Sequence, residues 1–259
     1  MRDLLNKDWP LVSVVVITYN RLHTLKTTVE SFRANCGYEN LELIVSDDGS
    51  PKKVRDEILR LPFDKFVFAT RNEGLGANTN KGIRAATGQY ILQLQDDWEC
   101  RGPSDFLHDG VMLMEDIPWI GFIHFCAVDH LRLYKTIHDN KGRKICVFEN
   151  DQSKDSSAVY NYSDRPHLKR KDFHERIGYY KENAPMTVTE LDFCNRFVSQ
   201  NKISAAHIQG LSCFVHIGQS NSFNPSVRKA RIKTRLKDYS IAQPILKFYE
   251  TFRRRSGRY

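Results

Sequence analysis

Three things are scarce in this chain of 259 residues. No apolar run approaches the ~20 residues that a membrane-spanning helix needs. The first residues, MRDLLNKDWP, carry charges where a signal peptide would need an apolar segment. Both absences lead us to expect an intracellular, cytoplasmic protein. The six cysteines are scattered, with no C-x-x-C pair, so neither a zinc site nor a disulfide framework is indicated. Most of them sit among apolar residues, as reduced core thiols do. The glycines form neither G-x-G-x-x-G nor G-x-x-x-x-G-K-[ST], which leaves a dinucleotide fingerprint and a P-loop unsupported. No internal repeat stands out, and no motif calls for nucleic acid.

What is present is a regular alternation. Leu11 to Thr18 (LVSVVVIT) is a continuous β-branched run, the pattern of a strand buried on both faces. Leu22, Leu25, Val29 and Phe32 fall on one helical stripe. Leu41 to Ser46 reads as a second strand. Ser50-Pro51 reads as an N-cap followed by a proline at the first helical position, opening a helix to Arg60. Lys65 to Ala69 is a third strand, Gly76 to Thr87 a third helix capped by Gly88, and Gln89 to Gln95 a fourth strand. Such alternation predicts an α/β fold, a central mostly parallel sheet flanked by helices.

Beyond Cys100 the pattern changes. A helix is expected over Asp105 to Glu115 and a strand over Trp119 to Val128. Leu131 to Ile137 and Arg143 to Phe148 read as a hairpin around Asp139-Asn140-Lys141-Gly142. Glu149 to Lys171 is polar and reads as a loop or lid. A helix follows near Val188 to Ser199, then short strands at Ile203 to Ile208 and Leu211 to Ile217. This divides the chain into residues 1–225, a domain of two parts (1–100 and 101–225), and a basic helical tail, 226–259.

The net charge of +8 is concentrated in that tail, in RKARIKTRLK from Arg228 and in Arg253-Arg254-Arg255. A solvated tail is the plain reading. Interleaved Ile232, Leu236, Ile241, Ile245, Phe248 and Phe252 suit peripheral contact with anionic lipid.

The ends of the four leading strands are unusually polar: Thr18-Tyr19-Asn20-Arg21, Asp47-Asp48-Gly49-Ser50, Arg71-Asn72-Glu73-Gly74 and Asp96-Asp97. In a parallel sheet the carboxyl ends of the strands are where ligands sit. Adjacent aspartates repel unless something positive neutralises them. DDGS alone is a common turn, and a lone Asp-Asp is commonly a solvated one. Their recurrence at successive strand ends is what points to a nucleotide whose diphosphate needs a cation.

In order, VVVITYNR, VSDDGS, RNEGLGANTNKG, ATGQYILQLQDDW and FHERIGYYKENAPMTVTELDFCNRF resemble the motifs of family 2 glycosyltransferases with the GT-A fold, over most of residues 11 to 200. The resemblance implies a GT-A Rossmann-like fold with a small acceptor-side β/α region. It implies an inverting, metal-dependent transfer of a sugar from a nucleoside-diphosphate sugar, UDP being the family's commonest nucleotide, to a hydroxyl on a glycan or other acceptor. Thr18, Tyr19 and Asn20 would lie under the nucleotide, with Asp47 or Asp48 on the base or ribose. Arg71, Asn72, Gly76 and Asn80 would line the base and sugar pocket. Gln95, Asp96 and Asp97 occupy the D-x-D position, with Asp97 on Mn²⁺ or Mg²⁺. Gln95 departs from the family's acid there.

His216, late in SCFVHIG, is a candidate third ligand or a packed histidine. Trp98 would stack on sugar or acceptor, or belongs to the core. Glu190 is the preferred base, with Asp192 the alternative. Thr187-x-x-Glu190 and Thr189-x-x-Asp192 are both capping boxes, and each would tie down its acid. A binding protein of the same fold with weakened catalysis, or a nucleotidyltransferase, is the alternative. TYNRLHTL lacks the glycines of a triphosphate loop, which counts against the latter.

Overall fold

The structure is a computed structural model; it describes residues 8–128, 131, 133–148, 161–200 and 203–218. The basic tail and residues 149–160 of the polar stretch that follows the hairpin lie outside the described residues, as does a boundary near residue 225. The first compact unit runs to Ile217.

The leading half folds as its alternation predicts: β1 (Val12–Thr18), α1 (Leu22–Asn35), β2 (Leu41–Asp47), α2 (Lys52–Ile58), β3 (Lys65–Phe68), α3 (Leu75–Ala85) and β4 (Tyr90–Gln95). The rest of the chain follows with β5 (Trp98–Cys100), α4 (Phe106–Asp116), β6 (Ile120–His124), β7 (Leu133–His138), β8 (Lys144–Phe148), β9 (His167–Arg170), α5 (Phe173–Ile177), α6 (Met186–Val198), β10 (Ser204–Ile208) and β11 (Phe214–His216). Among the described residues nine strands form one sheet in the order β3-β2-β1-β4-β9-β6-β10-β8-β7, and β11 pairs with β5 apart from it. Parallel pairing joins β3, β2, β1 and β4. Only β9 and β8 run against the other strands of the large sheet. The sheet is therefore mostly parallel, as the alternation of strands and helices predicts.

All seven residues of β1 are buried, because its side chains serve two cores in alternation. Val12, Val14 and Val16 pack with Leu25, Val29 and Phe32 of α1 and Phe106 and Leu107 of α4. Val15 and Ile17 pack with Ile83 of α3 and Phe193 and Phe197 of α6. A helix layer thus covers each face, and each fully buried aliphatic side chain contributes about 1.5–3 kcal/mol.

Four local expectations are corrected. Ser50 does not cap α2: Pro51 holds the N-cap position, and the Ser50 side chain turns back to Asp47 and Asn20. Gly88 is not the cap of α3, which ends at Ala86. It is glycine because a Cβ there would lie 2.5 Å from the Leu11 carbonyl oxygen. Neither capping box forms; α6 starts after Pro185 with no side-chain cap. The polar stretch ending at Lys171 is not all loop, since β9 lies inside the sheet between β4 and β6. His167 and Lys169 of β9 are buried in a hydrogen-bonded network rather than solvated.

Candidate nucleotide-sugar site

β1 and β4 are neighbours, and chain order reverses between them, so their carboxyl ends frame a crevice. Thr18 ends β1 and Asp96-Asp97 follow β4. The Thr18 hydroxyl donates to Asp96 Oδ2 at 2.7 Å. The Arg21 guanidinium spans both acids, 3.0 Å from Asp96 Oδ1 and 2.7 Å from Asp97 Oδ2. Burial pushes the Asp96 carboxyl up to about 7, against the pull of Arg21, Thr18 and the Tyr19 amide. A basic side chain thus meets part of the charge on the pair.

It does not meet all of it. Asp97 Oδ1 is buried and has no hydrogen-bond partner among the described residues. His216 Nε2 lies 3.0 Å from the other oxygen, Oδ2. A long-range pairing brings it there: β11 runs antiparallel to β5, setting His216 opposite Trp98, and the Ile217 amide donates to the Asp97 carbonyl at 2.8 Å. The Trp98 and His216 rings are 5.0 Å apart. A carboxylate with an open oxygen beside an imidazole fits a divalent cation as a two-residue hold, leaving positions for diphosphate oxygens. No three His, Cys, Asp or Glu side chains form a metal cluster among the described residues.

The other candidates divide into open and committed groups. Tyr19 is half-buried, Asn20, Arg71 and Asn72 are exposed, and Gln95 is half-buried. Asn20 has φ +52, a left-handed backbone at the turn after β1. Asp47 is fully buried and accepts from the Ser50 amide and hydroxyl. Asp48 accepts from the amides of Glu73 and Gly74 at 2.8 and 2.9 Å, tying the β2 loop to the loop before α3. Burial raises its carboxyl, and those two amides oppose the shift. The Asn80 amide is spent on the Tyr180 backbone and Glu182. Gly76 is glycine because a Cβ would stand 2.2 Å from the Lys181 carbonyl oxygen. Asn80 and Gly76 therefore anchor the segment 180–182 that leads into α6.

α6 presents the two acids differently. Asp192 pairs with Arg196 one turn on, at 2.8 Å, and Arg196 also donates to the Tyr179 carbonyl. Glu190 is half-buried with its carboxyl against that of Asp164. Burial, then the Asp164 charge, pushes it up to about 7.

Sequence reasoning gave no role to Arg21, Asp164, Lys169, Gln93 or Tyr180. Arg21 stood within a quoted motif, beside the strand end. Asp164 and Lys169 lie in a polar stretch that carries no periodic signal, and only tertiary structure brings Asp164 to Glu190 and Lys169 to Gln93.

The glycosyl transferase family 2 model matches residues 13–188. The chain belongs to this family. Two curated relatives align over short segments. One is the GalNAc(5)-diNAcBac-PP-undecaprenol beta-1,3-glucosyltransferase of Campylobacter jejuni, 33% identical over 95 residues, 35% of this chain and 30% of that one. The other is an uncharacterized glycosyltransferase, MJ1057, of Methanocaldococcus jannaschii, 38% identical over 96 residues, 35% and 33% of the two chains. The aligned segments span only about a third of such relatives' length. Among solved structures, the mannosyltransferase PcManGT of Pyrobaculum calidifontis, in complex with GDP-Man and Mn²⁺, has a TM-score of 0.58 at 16% identity, covering 91% of this chain and 66% of that one. S. aureus TarS 1-349 in complex with UDP-GlcNAc scores 0.58 at 16% identity, covering 82% and 61%. These two neighbours establish the GT-A fold.

Proposed function

We propose that this family 2 chain transfers a sugar from a nucleoside-diphosphate sugar, UDP-linked, to a hydroxyl of a glycan, with inversion at the anomeric carbon. The observation that carries the reading is the architecture of β4. Its end carries the Asp96-Asp97 pair, and its Gln93 donates to Asp164, which touches Glu190. One strand thus joins a charge-bearing nucleotide edge to a half-buried acid poised near neutrality.

The roles follow. Thr18, Tyr19, Asn20, Arg71 and Asn72 edge the nucleotide pocket, and Asp47 and Asp48 hold its loops in shape. Asp97 and His216 would hold Mn²⁺ or Mg²⁺, which when bound would neutralise charge on the departing diphosphate. Arg21 keeps the aspartate pair together. Trp98 offers a face for the sugar or acceptor. Glu190 takes the proton from the acceptor hydroxyl as its oxygen attacks the anomeric carbon and the bond to the diphosphate breaks. A base is most effective when its pKa lies near the working pH, and that of Glu190 is pushed up to about 7. Asp192, paired to Arg196, is the weaker candidate.

The Campylobacter relative is named for a lipid-linked glycan, which supports an acceptor of that class. The basic tail, with its interleaved apolar residues, would then meet the membrane surface; no helix of the described residues is long and apolar enough to cross it.

Calorimetric titration with UDP, GDP and dTDP, each with and without Mn²⁺, tests the site. The expected result is binding of one nucleotide, strengthened by Mn²⁺ in the wild type and not in Asp97→Asn. Absence of binding by every nucleotide would overturn the reading.

A further inference from the structure

The most unusual feature of the interior is a cluster of ionisable side chains under α6. Lys169, on β9 in the middle of the sheet, is fully buried. Its ammonium donates to Gln93 Oε1 at 2.7 Å and to the Tyr162 hydroxyl at 3.1 Å. Asp164 is 5% exposed. Its Oδ1 accepts from the Tyr180 hydroxyl at 2.9 Å and from Gln93 Nε2 at 3.4 Å. The Gln93 amide therefore links the two charges, its oxygen toward Lys169 and its nitrogen toward Asp164. Such an arrangement is costly to bury, and a cluster of apolar residues would fill the same space more cheaply.

The two carboxyls of the cluster are not equivalent. Burial raises the Asp164 carboxyl, and a hydroxyl donor, the charge of Lys169 and an amide donor oppose that shift and stabilise its ionised form. Among the described residues Glu190 has none of these; its carboxyl faces that of Asp164, and the Cys194 thiol feels the charge of both. Two carboxyls in contact do not both ionise readily, so one proton lies between them. While the pair holds one proton, the donors around Asp164 keep it on Glu190; above the Glu190 midpoint that proton is lost to solvent and Glu190 is a free base.

We propose that Asp164 is the positioning residue of the base. With Lys169 as its counter-ion it remains an anion, and it raises the proton affinity of Glu190 so that Glu190 can accept the acceptor's hydroxyl proton near neutral pH. This rests on Glu190 being the base. In the step the acceptor O–H bond breaks, the proton passes to a Glu190 carboxylate oxygen, the oxygen's electron pair forms the new bond to the anomeric carbon, and the bond from that carbon to the diphosphate breaks, its electron pair leaving with the nucleoside diphosphate. The proton rests in the hydrogen bond to Asp164 and leaves to solvent from Glu190, the half-exposed member.

Other groups facing the cluster leave this charge balance intact. Burial pushes the hydroxyls of Tyr162 and Tyr180 and the Cys194 thiol up, so all three stay neutral. His167 on β9 and His174 on α5 are pushed down by burial and by the Lys169 charge, so both stay neutral too. Lys169 is lowered to about 7 by burial, with Asp164 opposing the shift.

The test needs no acceptor. Full-length protein labelled with ¹³C at the glutamate carboxyl carbons is titrated by NMR, with Glu190→Gln to assign the Glu190 resonance. In the wild type Glu190 should titrate near pH 7. Asp164→Asn should lower that midpoint by about one unit or more, because it removes the adjacent negative charge. Asp164→Asn strands the Lys169 charge, so the double variant Asp164→Asn/Lys169→Met is measured beside it. The double variant removes both charges, keeps the interior neutral, and should show the same downward shift. A Glu190 midpoint in the ordinary carboxylate range, or one unmoved in the double variant, would overturn the proposal. Transfer assays on Glu190→Gln separate the two readings. Full activity there would remove the base, and with it the role of Asp164, whatever the titration shows. Lost activity with an unmoved midpoint would leave Glu190 as the base and remove only Asp164.

Discussion

The two halves of the sheet solve the same packing problem with different chemistry. In β1, β2 and β4 the central strands are almost entirely apolar, and polar residues are pushed to the strand ends. In β9 the strand itself is His167-Leu168-Lys169-Arg170, with His167 and Lys169 fully buried. The first half keeps charge at the crevice, where a bound nucleotide can use it. The second carries charge inside, beneath the acid proposed as base. An apolar strand needs only a helix on each face, whereas a charged one needs a complete set of partners. Gln93 is the one polar residue of the β4 interior, and it supplies the link between the halves.

Substitutions can break this comparison at graded cost. The largest effect is expected at Glu190. Glu190→Gln should slow transfer by roughly 10²–10⁴-fold while nucleotide affinity, measured by calorimetry, stays unchanged. A parallel loss of nucleotide binding would mean that the two halves are not separable. Lys169→Met comes next: it leaves Asp164 buried without its counter-ion. Urea unfolding should show a loss of about 3–5 kcal/mol, recovered in large part by Asp164→Asn/Lys169→Met. A nucleotide-half counterpart is Gly88→Ala, whose Cβ would meet the Leu11 carbonyl oxygen at 2.5 Å. It should cost about 1–3 kcal/mol by overpacking, with no second substitution in the charge network able to rescue it.

The same contrast explains what could be read from the sequence. β-branched runs and helical stripes are local, and they gave the first four strands and three helices in order. The crevice was legible because Thr18, Asp96 and Asp97 follow directly on apolar strands. β9 was not legible, because His167 and Lys169 are paid for by Gln93 and Tyr162, and only Tyr162 is near them in the chain. β5 and β11 are three residues each, too short to show a period, yet their pairing is what sets His216 beside Asp97. Ser50-Pro51 misled because the serine oxygen found Asp47 closer than the helix amides.

The smallest effect separates the halves by the sign of their pH dependence. Glu42 on β2 is mostly buried, which by itself would raise its carboxyl. Lys65, Ser13 and Thr87 overcome that and bring it from 4.5 down to about 2. A carboxyl lowered by folding stabilises the protein above its unfolded pKa, and that stabilisation is lost as pH falls from about 5 toward 2. Glu190 is shifted the other way, from 4.5 up to about 7. Folding then favours its protonated form, so its contribution is present below pH 4 and is lost as pH rises from about 4.5 through 7. Urea unfolding across pH 2–8 should therefore show Glu42→Gln less stable than wild type above pH 5, with a flatter acid limb. Glu190→Gln should be more stable than wild type above pH 7. Each difference should be on the order of 1 kcal/mol once solvent screening is allowed for. Gain of stability on removing an acid is the mark of a group held in an unfavourable state for its chemistry. If Glu190→Gln instead lost stability at pH 8, Glu190 would belong with Glu42 as a structural acid, and the contrast between the halves would fail at its most informative residue.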